Sequence, residues 1–203
     1  MHRIRAVIFD AYGTLLDVHA AMARHADRLG PNWRQISADW RAKQVEYAWV
    51  RSMIGPAHHR DFWRLTQEAL EVVFEMHGIT DTALKADILA AYRRLDAYPE
   101  VPEMLHDAVI AAGIAPLLDA VLSVESVRVF KPDPRVYRFA ARRFNLAPRE
   151  MGYVSSNSWD AFGAYELGFR AIRVNRGGAP DEYGLRGSLP ELTDLAALPD
   201  LLG

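Results

Sequence analysis

Cysteine is absent from the 203 residues, which excludes disulfides, thiol nucleophiles and cysteine-ligated zinc. Lysine is nearly absent: Lys43, Lys85 and Lys131 stand against 21 arginines, so a lysine inside a motif carries more information than usual. Charge of one sign is not in excess, with Lys+Arg 24 against Asp+Glu 26 and a net charge of -2. Without a basic block, nucleic acid is not an expected partner. No apolar run approaches membrane-spanning length. The start, Met1-His2-Arg3-Ile4-Arg5, is basic, but the apolar stretch after it is cut short by Asp10, which reads as a strand rather than a signal peptide. The expectation is a soluble cytoplasmic protein with neither membrane nor nucleic-acid partners. What the chain does have is apolar mass: 50% hydrophobic residues can build one domain's core plus an inserted subdomain.

Residues 19–97 read as helical throughout. A helix from Ala20 to Leu29 stops at Gly30-Pro31, and Ser37 can cap another that runs to Met53. Asp61 can cap a third and Asp81 a fourth, in which Leu84, Ile88, Ala91, Tyr92 and Leu95 share one face. Tyr98-Pro99-Glu100-Val101-Pro102 reads as an extended return segment, because a residue before proline avoids the helical region. Beyond it strands and helices alternate. Val121–Val124, Gly152–Ser155 and Ala171–Val174 read as strands, Pro134–Phe144 and Trp159–Leu167 as helices, and Arg176–Gly187 as a glycine-containing loop. Alternation of this kind predicts an α/β fold: a Rossmann-like parallel sheet, 1–16 and 99–203, interrupted after its first strand by an α-helical cap, 17–98.

Asp10 ends the apolar run Ala6-Val7-Ile8-Phe9 and enters Ala11-Tyr12-Gly13-Thr14, so a lone carboxylate closes a buried strand beside a tight turn. A carboxylate held that rigidly can attack carbon or phosphorus and form a covalent intermediate. The other reading is an Asp satisfied by the amides of its own turn. Lys131, in Phe130-Lys131-Pro132-Asp133-Pro134, could hold such a carboxylate ionised and oriented, or could be an exposed lysine in a turn.

These motifs resemble the haloacid dehalogenase superfamily, whose first motif is an apolar strand, Asp, any residue, a variable second position, Gly and Thr. Its phosphatases carry a second Asp there to protonate a departing alkoxide. This chain has Tyr12, and a halide leaves as a stable anion without a general acid. The resemblance is therefore to the L-2-haloacid dehalogenase branch. It extends to Trp40-Arg41-Ala42-Lys43-Gln44-Val45-Glu46-Tyr47, where it implies that Arg41 receives the halide; the alternative is a solvated Arg paired with Glu46 or Asp39. It includes Lys131 and Tyr137 in the third motif and Val154-Ser155-Ser156-Asn157-Ser158-Trp159-Asp160 in the fourth. The magnesium-binding acid of the phosphatases would stand at Ser155, so no metal or other cofactor is implied.

The catalytic residues implied are Asp10, Thr14, Arg41, Lys131, Tyr137, Ser155, Asn157 and Asp160, with Tyr12, Arg41, Phe62 and Trp159 on the substrate. Ser155-Ser156-Asn157 also has the composition of a helix cap, and both roles are compatible. One departure from the family precedes Leu122. Relatives have a helix, a core strand ending in Ser-Asn-Gly and a second helix after the return segment. Here Glu103–Ala112 fits one helix, Gly113 closes it, and Val121 already opens the next strand. The missing motif is the one that binds the substrate carboxylate, and its strand lies beside the Asp10 strand. The resemblance thus implies hydrolytic dehalogenation of short L-2-haloalkanoic acids by a homodimer. The alternatives are a catalytically impaired relative or a small-molecule phosphatase.

Overall fold

The computed structural model describes residues 4–106 and 118–202. β1 (Ala6–Phe9) is followed by α1 (Ala20–Ala23), α2 (Ala26–Leu29), α3 (Trp33–Met53), α4 (Phe62–Met76) and α5 (Thr82–Tyr92). Then come α6 (Glu100–His106), α7 (Pro134–Phe144), β2 (Met151–Ser155), α8 (Ser158–Glu166), β3 (Arg170–Val174), β4 (Glu191–Leu192) and α9 (Leu198–Leu202). The chain divides into two compact units. One is Met1–Leu16, Ala97–Ser123 and Lys131–Gly203; the other is Asp17–Asp96 with Val124–Phe130.

In the helical unit the two acidic caps form as expected. Asp61 accepts a hydrogen bond from the Arg64 amide at 2.8 Å and Asp81 from the Leu84 amide at 2.9 Å, each satisfying an amide that has no partner within the helix. Two helix starts depart from expectation. Ser37 lies a turn inside α3, where it is buried with its Oγ 2.7 Å from His19 Nδ1, so it caps nothing. The helix expected over Ala20–Leu29 breaks because His25, at φ -118° and ψ 20°, leaves the helical region. Trp40, fully buried on α3, donates to the Thr66 carbonyl of α4 at 2.9 Å and packs its ring 4.8 Å from that of Tyr92 on α5. Phe130 joins this unit through Ala48, Leu65 and Phe62 and through its backbone N–H, which donates a hydrogen bond to Ser52 Oγ at 2.8 Å.

The other unit is built on a parallel sheet in the order β1-β2-β3-β4. β2 and nearly all of β3 are buried, as strands covered on both faces are; the charged residue buried among their apolar ones is Arg173 of β3, paired to Glu191 at 2.9 Å. α8 makes the crossover between them and closes at Gly168, whose φ of +83° suits a residue without a Cβ. α7 starts at Pro134, with Asp133 capping the Arg135 amide at 2.9 Å.

Two expectations fail here. Val121–Val124 is not a strand: Val121 is 75% exposed, the stretch pairs with no strand among the described residues, and Val124 opens a short 3-10 turn. Glu100–Pro102 is the first turn of α6 rather than extended chain, because proline lacks only an N–H that has no helical partner in that turn. β4 and α9 were not anticipated, since two- and five-residue elements are too short to show a period. The helix expected over Glu103–Ala112 and its stop at Gly113 fall largely outside the described residues. Among the described residues β1 pairs on one side only, with β2.

Candidate active site

Three adjacent strands end at the same edge of the sheet, where open α/β folds place their ligands. β1 continues into Asp10, whose amide donates to the Val154 carbonyl at 2.9 Å and so extends the ladder by one residue. β2 ends at Ser155 and β3 at Val174. The tight turn after β1 folds back through Gly13, whose φ is +91°, and the amides of Leu15 and Leu16 donate to the Ala11 carbonyl. That turn aims Thr14 back at Asp10, to which its hydroxyl donates at 2.9 Å.

The Asp10 carboxylate accepts from Lys131 Nζ at 2.8 Å on Oδ1, and from Thr14 Oγ1 at 2.9 Å and Asn157 Nδ2 at 2.8 Å on Oδ2. It keeps 12% of its side-chain surface open. Lys131 also donates to Asp160 Oδ2 at 2.9 Å, so one ammonium bridges two carboxylates. Burial pulls the Lys131 pKa down, but the charges of Asp10 and Asp160 outweigh it and hold the ammonium above its ordinary range. Asp160 is fully enclosed. Its Oδ1 accepts from Tyr137 at 2.7 Å and Tyr153 at 3.1 Å. Burial raises the Asp160 pKa against the pull of Lys131, and burial together with Asp160 raises both phenols, which remain donors. Asp160 therefore has no open oxygen for a water and acts on the site through Lys131.

Asn157 precedes α8 but does not cap it; its amide nitrogen is committed to Asp10 and, at 3.3 Å, to the Tyr12 carbonyl. Ser155 Oγ accepts the Asn157 amide at 3.1 Å, and Thr14 Oγ1 accepts the Ser156 amide at 2.8 Å, so each hydroxyl fixes a neighbouring donor. Trp159, half-buried, lies in the first turn of α8. Seven of the anticipated residues, Asp10, Thr14, Lys131, Tyr137, Ser155, Asn157 and Asp160, are thus joined in one network. Arg41 and Phe62 stand in the helical unit. Arg41, half-buried on α3, reaches Gln44 Oε1 at 3.5 Å, while the alternative partners Glu46 and Asp39 are taken by Lys43 and His77. Phe62 packs tilted against Phe130, ring centres 6.2 Å apart.

Tyr153, Gly163 and Arg176 were not singled out from the sequence. Tyr153 reads as an ordinary strand aromatic and Arg176 as one loop arginine among many. Gly163 sits inside α8 with no helical reason to be glycine; a Cβ there would lie 2.6 Å from the Tyr137 hydroxyl, so its absence lets that phenol reach Asp160. Among the described residues no group of three or more His, Asp or Glu converges as a metal site.

The family model for haloacid dehalogenase-like hydrolases matches residues 102–168. Over its whole length the chain is 40% identical to (S)-2-haloacid dehalogenase 1 of Pseudomonas sp. (strain CBS-3), covering 98% of that protein. That alignment runs over 224 positions against 203 residues here, so at least 21 residues of the relative lack a counterpart. A dehalogenase solved as an intermediate complex is 37% identical with a TM-score of 0.92, over all of this chain and 98% of the other. L-2-haloacid dehalogenase from Xanthobacter autotrophicus, solved with chloropropionic acid covalently bound, is 30% identical with a TM-score of 0.82 over 98% of each chain. Likeness of this extent, from one end of the chain to the other, means that the chain belongs to the haloacid dehalogenase family, among the (S)-2-haloacid dehalogenases.

Proposed function

We propose that the protein hydrolyses short L-2-haloalkanoic acids to D-2-hydroxy acids through an ester on Asp10. The observation that carries this reading is the strand-end carboxylate of Asp10, partly open and fixed by Lys131, Thr14 and Asn157. Oδ1, held by Lys131, attacks C2 from behind the halogen; the C–O bond forms as the carbon–halogen bond breaks, and the halide departs with the electron pair. Oδ2 becomes the ester carbonyl oxygen, where the Thr14 and Asn157 donors already converge. Water then adds to the Asp10 carbonyl carbon, and the same donors stabilise the oxyanion that forms on Oδ2. Collapse breaks the acyl–oxygen bond, restores Asp10 and releases the hydroxy acid and a proton. C2 is inverted once.

Arg41 receives the halide, a task suited to a permanently charged fork of N–H donors. Tyr12, Phe62 and Trp159 face the substrate, and Tyr137, Ser155 and Asp160 hold the groups that hold Asp10. No metal is needed: Asp10 Oδ2 and the Tyr12 carbonyl, oxygens that a cation could bridge, are bridged by the Asn157 amide. We further expect a cytoplasmic homodimer, to be checked by light scattering of the purified protein; among the described residues no helix is long and apolar enough to cross a membrane.

The test is chloride release from L-2-chloropropionate in the presence of a chelator, with Asp10→Asn as the blank. Release that depends on Asp10 and ignores the chelator is expected; its absence from folded protein overturns the reading. Single turnover in heavy-oxygen water should label Asp10 before product, and label appearing directly in product would exclude the ester. A second reading, a catalytically impaired relative, is favoured by the 21 or more residues without a counterpart and by β1's single partner among the described residues. Under it, inserting a strand, a helix and a Ser-Asn motif before Leu122 would create activity where there was none.

A further inference from the structure

Arg176 immediately follows the residue after β3, at the strand end next to those that deliver Asp10 and Ser155. Its guanidinium donates to the Thr14 carbonyl at 2.9 Å, the Gly13 carbonyl at 3.3 Å and Ser156 Oγ at 3.1 Å. It is held for this by Glu100 at the start of α6, whose Oε1 accepts from Nε at 2.8 Å and from a terminal nitrogen at 2.6 Å, and by the ring of Tyr98, 3.8 Å below its carbon. One planar side chain thus ties the turn that carries Thr14 to the loop that carries Asn157. Lysine could supply the charge at this place but not the fork, which alone reaches several fixed acceptors at once.

We propose that Arg176 is a positioning residue for the Asp10 site. It fixes the carbonyls of Gly13 and Thr14 and the Ser156 hydroxyl, so that Thr14 Oγ1 and Asn157 Nδ2 meet on one oxygen of Asp10; Glu100 keeps the guanidinium in register. It touches neither Asp10 nor the groups that react, and its effect passes through the geometry of the two donors. The catalytic part of the proposal rests on the dehalogenase reading, while the geometric part stands without it.

The experiment compares wild type with Arg176→Lys, Arg176→Ala and Glu100→Gln, reading chloride release from L-2-chloropropionate and amide hydrogen exchange over residues 11–16 and 155–158. Displacement of catalytic groups by about an ångström should lower kcat by about 10- to 100-fold in Arg176→Lys, with KM changed by less than about twofold. Both loops should lose exchange protection while β2 keeps its own. Added guanidinium ion should return part of kcat to Arg176→Ala, which a general loss of folding would not allow. A kcat within about twofold of wild type together with unchanged exchange in Arg176→Lys would overturn the proposal. If wild type itself releases no chloride, the dehalogenase reading fails, and loop exchange alone decides whether Arg176 positions the two loops.

Discussion

Asp10 at the end of β1 and Asp160 in the first turn of α8 share one lysine, lie within the same network and are the same residue type, yet their surroundings prepare them for opposite tasks. Asp10 keeps an open face and receives donors from two loops. Asp160 is enclosed, with Lys131 on one oxygen and Tyr137 and Tyr153 on the other. A carboxylate that must form a bond to substrate needs approach; one that must keep an ammonium in place needs none. The division of labour is set by burial and by donors, not by the acids themselves.

The sharpest way to break this arrangement is to remove what the two acids share. Lys131→Met leaves both carboxylates without their counter-ion, and loss of that preorganised charge should lower kcat by about 10²- to 10³-fold. A stopped-flow measurement of halide release would isolate ester formation; a rate within tenfold of wild type would mean that Thr14 and Asn157 suffice to orient Asp10. Asp160→Asn tests the enclosed partner alone. It breaks a buried pair from one side and should cost about 3 kcal/mol of stability in chemical denaturation, with a smaller loss of rate than Lys131→Met. An equal or greater loss of rate with unchanged stability would make Asp160 a direct participant.

The third test reaches Asp160 through a residue that never touches it. Alanine in place of glycine inside a helix ordinarily adds about 1 kcal/mol of stability. At Gly163 the new methyl would meet the Tyr137 hydroxyl, on a ring packed among Tyr153 and Phe169 with little room to withdraw. Gly163→Ala should therefore lower the melting temperature and the rate together. A rise in melting temperature with full activity would show that the phenol tolerates displacement.

The open acid and its donors were largely legible in the sequence, while the packing behind them was not. Asp10, Thr14, Lys131 and Asn157 stand in short motifs, and their chemistry is written in residue type: a carboxylate at a strand end, a rare lysine, an amide at a helix start. Tyr153, Gly163 and Arg176 matter through contacts made by folding, and Arg176 meets Gly13 across 163 residues of chain. A tyrosine in a buried strand, a glycine in a helix and one arginine among 21 have no local pattern that announces such contacts. The same limit explains the elements. α4, α5 and α7 carry caps and periods of their own. β4 exists only because β3 offers it an edge, and Val121–Val124, with strand-like composition, finds no edge among the described residues and stays out of the sheet.

The smallest expected effect separates the two phenols on Asp160. Tyr137 is the closer donor, so Tyr153→Phe leaves Asp160 with Tyr137 and Lys131 and should cost only about 1 kcal/mol near neutral pH, the net worth of one buried hydrogen bond. Its pH dependence is the more telling measurement. Burial, then Asp160, raises the Tyr153 pKa above the ordinary 10.0, so folding favours the protonated phenol. That contribution is complete below pH 10 and disappears as the pH climbs from there toward the raised value, because the unfolded chain releases the proton first. The stability gap between wild type and Tyr153→Phe should accordingly stay constant from neutral to about pH 9 and narrow above pH 10. A gap that stays the same above pH 10 would mean that this hydroxyl does not face the enclosed carboxylate as a donor, and that Asp160 is held in place by Tyr137 and Lys131 alone.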